Sequence, residues 1–169
     1  MKNRWRINME KEKIASFNLP TYREIPNVGL YLDQVSKYIN ECFNDLPGFS
    51  ITNSMISNYV KHDIIANPVK KLYYRDQIAS LIFITLSKGE TSLDNLKNLL
   101  AKQQEICDCE QAYSYFSQSF NEALHNIFTE KTEVLDNGET RRHHMVNTIV
   151  SSVVHQIYLN AEIESFIAE

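Results

Sequence analysis

A chain of 169 residues, 43% hydrophobic and 22% charged, has room for one well-buried domain or two small ones and the composition of an ordinary soluble globular protein. No apolar run approaches the length of a bilayer span, and the N-terminus carries charges without a signal-peptide core; the expectation is a cytoplasmic protein with no membrane partner. The net charge of −4 is uneven, with 13 Lys and Arg against 10 Asp and Glu in residues 1–100 and 4 against 11 in residues 101–169, the asymmetry of a nucleic-acid module followed by a non-binding region.

Three cysteines, Cys42, Cys107 and Cys109, form no even disulfide framework and suit a reducing compartment. All four prolines lie within the first 68 residues. The final hundred residues are therefore free to form long helices.

Residues 1–18, with Lys2, Arg4, Arg6, Lys11 and Lys13, read as an arm. Reaching a minor groove is one use for it; a loosely packed terminus is the plainer expectation. Leu19 to Pro26 is an extended lead-in. From Val28 to about Phe43 the spacing of Leu30, Val35, Tyr38, Ile39 and Cys42 predicts a first helix, and NDLPGFS connects it to the next.

That next helix begins at Thr52, a good N-cap, with Ile51 and Ile56 at staple spacing on either side. Met55, Ile56, Tyr59 and Val60 fall on one face, which packs. Asn53, Ser54, Ser57, Asn58 and Lys61 fall on the other, and this face of amides, hydroxyls and one ammonium suits base edges and phosphates. After Ile64 and Ile65 the chain turns at Asn67 and Pro68 and presents Lys70, Lys71 and Arg75, three cations placed to meet phosphates.

The run ITNSMISNYVKHDII resembles the recognition helix of MerR-type regulators: a capped helix, an aromatic near its middle, a basic residue, a left-handed stop and a Leu-Leu-like pair. Asp63 stands where that family has glycine, and Asp tolerates the left-handed conformation better than most residues. Tyr73, Ile78, Leu81 and Ile84 keep the spacing of the MerR helix after the wing, and SLDNLKNLL resembles the segment closing that domain. The wing itself is shortened to ANPVKKLYY. With LPTYREIPNVGLYLDQVSKYI upstream, the chain is similar to a family of uncharacterised bacterial proteins with a MerR-like helix-turn-helix, known only as a domain of unknown function. The resemblance implies a winged helix-turn-helix and DNA binding.

Arg75 to about Lys88 is a third helix with Ile78, Leu81, Ile82 and Thr85 inward, ended by Gly89; Thr91 or Ser92 caps a fourth from Leu93 to Leu100. A longer helix from Lys102 to Phe128 follows, with Ile106, Cys109, Tyr113, Phe116, Phe120, Leu124 and Ile127 on a near-heptad seam. At 1.5 Å per residue it would be roughly 40 Å long. The loop LDNGETRR reverses the chain, and a last helix from His143 to Phe166 carries Val146, Ile149, Val150, Val153, Ile157, Ala161 and Phe166 or Ile167 on its seam. Two such stripes predict a helical hairpin whose surplus apolar surface is covered by a second copy.

Other constellations carry less. Cys107 and Cys109, two apart on a continuous helix, point about 200° apart and cannot share a tetrahedral ion. Glu122 and His125 have di-iron spacing but lack a second pair. Arg141, Arg142, His143 and His144 form a cationic tetrad at a helix start, where the dipole opposes them. There is no phosphate loop, nucleophile elbow, catalytic residue or metal set in the sequence, so neither an enzyme nor a cofactor is expected. The reading is an all-α protein: arm 1–18, MerR-like helix-turn-helix 19–100 and helical dimerisation or effector region 101–169, binding duplex DNA as a homodimeric transcriptional regulator whose effector the sequence does not identify. The alternative is a protein-interaction adaptor that keeps the fold without sequence-specific DNA contact.

Overall fold

Extended backbone at Tyr31, followed by Leu-Asp-Gln, starts the first regular helix: Gln34 reaches back to accept from the Tyr31 N–H at 2.9 Å, filling one of the bonds a helix start leaves open. The computed structural model describes residues 11–129 and 140–167. Residues 11–15 are helical. Then come a 3-10 turn at Tyr22–Glu24 and six α-helices: α1 Leu32–Cys42, α2 Asn53–Lys61, α3 Arg75–Ser87, α4 Leu93–Ile106, α5 Cys109–Phe128 and α6 Arg141–Ile167. Among the described residues β-structure is limited to two isolated antiparallel bridges, Leu30 with Tyr73 and Val69 with Leu72. The fold is all-α.

The chain packs as two units, one of residues 20–117 and one that joins 1–19 to 118–169. In the first, α3 is the centre: every residue from Leu81 to Ser87 is buried, because apolar side chains occur all round the helix instead of on one stripe. α1 packs on α2 and α3, and α3 on α4. Thr85 resolves its own burial by donating to the Leu81 carbonyl at 2.7 Å. The Ser87 hydroxyl finds no partner among the described residues.

In the second unit α6 turns Val150, Val153, Val154, Ile157 and Ala161 inward, and Phe120 and Leu124 of α5 are fully buried. Ile14, Phe17 and Leu19 complete this core, with Phe17 edge-on to Phe120 at 6.3 Å between centroids. Lys11 pairs with Glu162 at 2.7 Å, and the Leu19 N–H donates to Asn121 at 2.8 Å.

Three expectations change. The first helix begins at Leu32, not Val28, since the Leu30 backbone is paired with Tyr73 and held extended. The continuous helix over 102–128 does not form: Cys107 is extended (φ −154°, ψ 165°) and Asp108 caps a new helix by accepting from the Gln111 N–H at 2.8 Å. Residues 11–18 are packed and not loose, while Lys2, Arg4 and Arg6 lie outside the described residues, as does most of the LDNGETRR loop. The packing units divide at 19/20 and, within α5, at 117/118. Much of the seam assigned to a second copy is thereby covered within one chain; Ile106 instead is exposed.

Candidate nucleic-acid interface

α2 is fixed at both ends. At its start the Thr52 hydroxyl accepts from the Met55 N–H at 3.2 Å, and Ile51 and Ile56, the staple pair, are buried. Asn40 of α1 grips the preceding residue from both sides, donating to the Ile51 carbonyl and accepting from its N–H, each at 2.9 Å. At its end Asp63 adopts φ 53°. The Ile64 N–H then donates to the Tyr59 carbonyl at 2.9 Å and the Asp63 N–H to Val60 at 3.0 Å, the bond pattern of a Schellman stop. Buried Ile64 and Tyr59 supply its hydrophobic contact. Lys97 of α4 donates to the His62 carbonyl at 2.7 Å, placing a cation at the negative end of the helix dipole.

Between these caps, Ile56 and Tyr59 are buried and Met55 and Val60 half-buried, whereas Asn53, Ser54, Ser57, Asn58 and Lys61 are all exposed. Asn53 also serves the fold, accepting from Ser36 of α1 at 2.5 Å.

The segment ANPVKKLYY that follows α2 contains a two-residue hairpin turn. Val69 and Leu72 exchange both backbone bonds at 3.0 Å. Lys70 and Lys71 between them have φ 51° and 68°, a positive pair that defines a type I′ turn, where Asn-Gly is the favoured sequence. Both lysines are exposed. Gln77 holds the approach to the hairpin, donating to the Ala66 carbonyl at 2.9 Å and to Asn67 at 3.2 Å. The outgoing arm pairs through Tyr73 with Leu30, at 2.8 and 2.9 Å. Gly29 permits this pairing: it sits at φ +75°, and a Cβ there would press on Leu72 and Tyr74 at 3.2–3.3 Å.

Arg75 behaves differently from the two lysines. Its guanidinium donates to the carbonyls of Ile25 at 2.7 Å and Arg23 at 3.2 Å and lies over the Tyr22 ring at 5.3 Å. The Tyr22 phenol donates to Asp76, and burial, followed by that bond, pushes its pKa well above the ordinary range. Arg75 thus ties the segment before α1 to the start of α3. Among the described residues no ion pair engages Lys61, Lys70 or Lys71.

The charge balance is also redistributed. The cation excess of residues 1–100 belongs to residues 1–19, outside the unit of residues 20–117, which holds 9 Lys and Arg against 11 Asp and Glu. Positive charge is local: from Asn53 to Arg75 there are four cations and one acid. Sequence reasoning also missed a group of exposed apolar side chains, Val28, Tyr31, Val69 and Tyr74, that flank the two bridges. Only the pairing of segments over forty residues apart brings them near one another.

An all-α unit that displays one short polar helix and a dilysine turn defines the class of domain. Residues 20–116 match the family described as a domain of unknown function (DUF1836), and the chain belongs to that family. The matched span nearly coincides with the packing unit 20–117. No curated protein and no solved structure gives a match.

Proposed function

We propose that the protein is a transcriptional regulator that binds duplex DNA with a MerR-like winged helix-turn-helix formed by α1, α2 and the dilysine turn. Asn53, Ser54, Ser57, Asn58 and Lys61 meet the major groove, and Lys70 and Lys71 meet phosphates. Arg75 positions α3 and the segment before α1. The observation that carries this reading is the strained turn. A left-handed L-residue other than Gly or Asn costs roughly 1–2 kcal/mol, and such strain concentrates where it serves a function. Here it displays two adjacent, exposed ammonium groups that no ion pair engages among the described residues. The chain acts as a homodimer through its C-terminal helices, for which Leu159, Ile163, Phe166 and Ile167 of α6 leave an exposed apolar stripe at i, i+4, i+7 and i+8.

Fluorescence anisotropy of a labelled random duplex tests the DNA reading. If Lys61, Lys70 and Lys71 of two protomers reach phosphates, about six contacts form and log K falls against log salt with a slope of about −5. Selection from random duplexes with Asn58→Ala shows relaxed discrimination at one base pair, by about 1–3 kcal/mol. No enriched sequence, together with unchanged bulk binding by a Lys70→Ala/Lys71→Ala double variant, refutes the reading.

A second reading, a protein-interaction adaptor, is favoured by Val28, Tyr31, Val69 and Tyr74, whose exposed apolar surface next to the hairpin suits a protein partner, and by the acidic balance of residues 20–117. Under it, Tyr31→Ser/Tyr74→Ser abolishes partner capture while the lysine variants leave it intact.

A further inference from the structure

Within the unit of residues 20–117 a cavity of about 360 Å³ has walls from four segments. The link from α2 to the hairpin contributes Ile64 and Ile65, the first turn of α3 contributes Asp76 and Gln77, the end of α4 contributes Leu100, and the α4–α5 break contributes Asp108. The volume falls in the range of small-molecule sites, and the lining is mixed: Ile64, Ile65, Ala66 and Leu100 form its apolar part, while Asp76, Gln77, Ser80, Gln103, Gln104 and Asp108 make it polar toward solvent. The cavity exists because α4 and α5 are not one helix. Had the chain continued straight through Cys107, Asp108 would cap nothing and this wall would be absent.

The charge of the lining selects the ligand. It contains two carboxylates and no Lys, Arg or His. Asp76 accepts from the Tyr22 phenol and Asp108 caps the Gln111 N–H, but each carboxylate keeps acceptor capacity beyond those bonds. Cys109 also lines the cavity, and burial, reinforced by the Asp76 charge, pushes its thiol up to about 12, so it adds no thiolate at neutral pH. An anionic ligand would meet two like charges with no counter-cation. A short apolar body fits against Ile64, Ile65 and Leu100, with a positive head toward the carboxylates.

We propose that this cavity is an effector site for a small organic cation, an amine or guanidinium on a short carbon chain, and that its occupancy favours the hairpin position that presents Lys70 and Lys71. The coupling runs through Gln77. Its side chain lines the cavity, accepts from the Tyr74 N–H at 2.9 Å and donates to the Ala66 and Asn67 carbonyls that lead into the turn. A ligand that binds this arrangement stabilises it and, by linkage, raises DNA affinity. This regulatory half rests on the DNA-binding reading; the site itself does not.

The test uses the full chain and agmatine as probe, followed by calorimetry and by amide NMR shifts. Saturable binding is expected, weakened about tenfold by Asp76→Asn, which removes one charge-assisted hydrogen bond. Ser80→Met, which fills the cavity from α3, abolishes it, and succinate does not bind. Circular dichroism confirms that both variants fold, and either one alone suffices if the other does not. DNA affinity at fixed ionic strength then rises about fivefold or more on saturation with agmatine; the Asp76→Asn protein under the same agmatine corrects for competition with the DNA counterions. Absent binding, or binding insensitive to the folded variants, overturns the site. Variant-sensitive binding with unchanged DNA affinity overturns the coupling. Variant-sensitive binding by a protein that binds no DNA at all overturns the DNA reading and leaves the cation site standing.

Discussion

Replacing Lys70 and Lys71 by Asn and Gly separates the stability of the hairpin from its use. Both lysines hold positive φ, at 51° and 68°, and Asn-Gly is the pair a type I′ turn prefers. Relief of two left-handed L-residues, at roughly 1–2 kcal/mol each, is partly offset by the greater unfolded-state freedom of glycine, about 0.5–1 kcal/mol. Asn recovers only part of its share, because it too carries a Cβ. The double variant K70N/K71G should therefore be more stable by about 1–2 kcal/mol. Thermal unfolding followed by circular dichroism should show this as a rise of roughly 4–8 °C per kcal/mol in the transition of residues 20–117, a unit of about 100 residues. The same change removes two cations per protomer, four per dimer, so the salt slope of DNA binding should flatten from about −5 to about −2. The K70A/K71A variant provides the contrast, since it loses the charges and keeps the strained β-carbons. It should lose binding without gaining stability. Equal stability of K70N/K71G and the native chain refutes the strain argument, and an unchanged salt slope refutes the assignment of these lysines to phosphates.

Ser87→Ala should stabilise the protein by about 1 kcal/mol or more, measured by urea unfolding, because it removes a buried hydroxyl without a partner among the described residues and improves helix propensity; a destabilised variant would show that the hydroxyl is satisfied in solution. A charge at Phe120, fully buried against Phe17, should unfold its unit and not merely dissociate a dimer, whereas Ile163→Glu on the exposed stripe of α6 should convert a dimer to a folded monomer in sedimentation. A native chain that already sediments as a monomer ends the dimer reading. The Glu24 carboxylate accepts from the Thr21 N–H at 2.7 Å and hydroxyl at 2.8 Å, and those bonds hold its pKa below the ordinary 4.5. A depressed folded pKa means that the stabilisation is present above the unfolded value and is lost as pH falls through the folded one. Carboxyl NMR titration should place the Glu24 midpoint below 4.5, and Thr21→Ala should return it toward that value; a midpoint unmoved by Thr21→Ala assigns the shift elsewhere.

Local interactions were legible in the sequence because both partners lie within a few residues. Thr52 caps α2, Asp63 takes the left-handed stop, and the polar and apolar faces of α2 divide as the 3.6-residue period requires. The all-α class follows for the same reason: helical periodicity is a property of short windows. Long-range pairing was not legible. Nothing near Leu30 announces that its backbone will pair with Tyr73, so four residues assigned to a helix, 28–31, lie outside it and the exposed apolar group around the bridges went unseen. Arg75 reads as a free cation until the carbonyls of Arg23 and Ile25 close on it, an interaction across fifty residues. The break after Ile106 had a local signal, Asp108 as an N-cap three residues before Gln111, but the apolar spacing ran through it unbroken and outweighed it. The fate of the C-terminal seam was decided by tertiary structure alone. An apolar stripe specifies that it will be covered, since exposure costs roughly 25 cal/mol per Å²; whether Ile14, Phe17 and Leu19 of the same chain or a second copy covers it depends on which surface the folded chain brings there first.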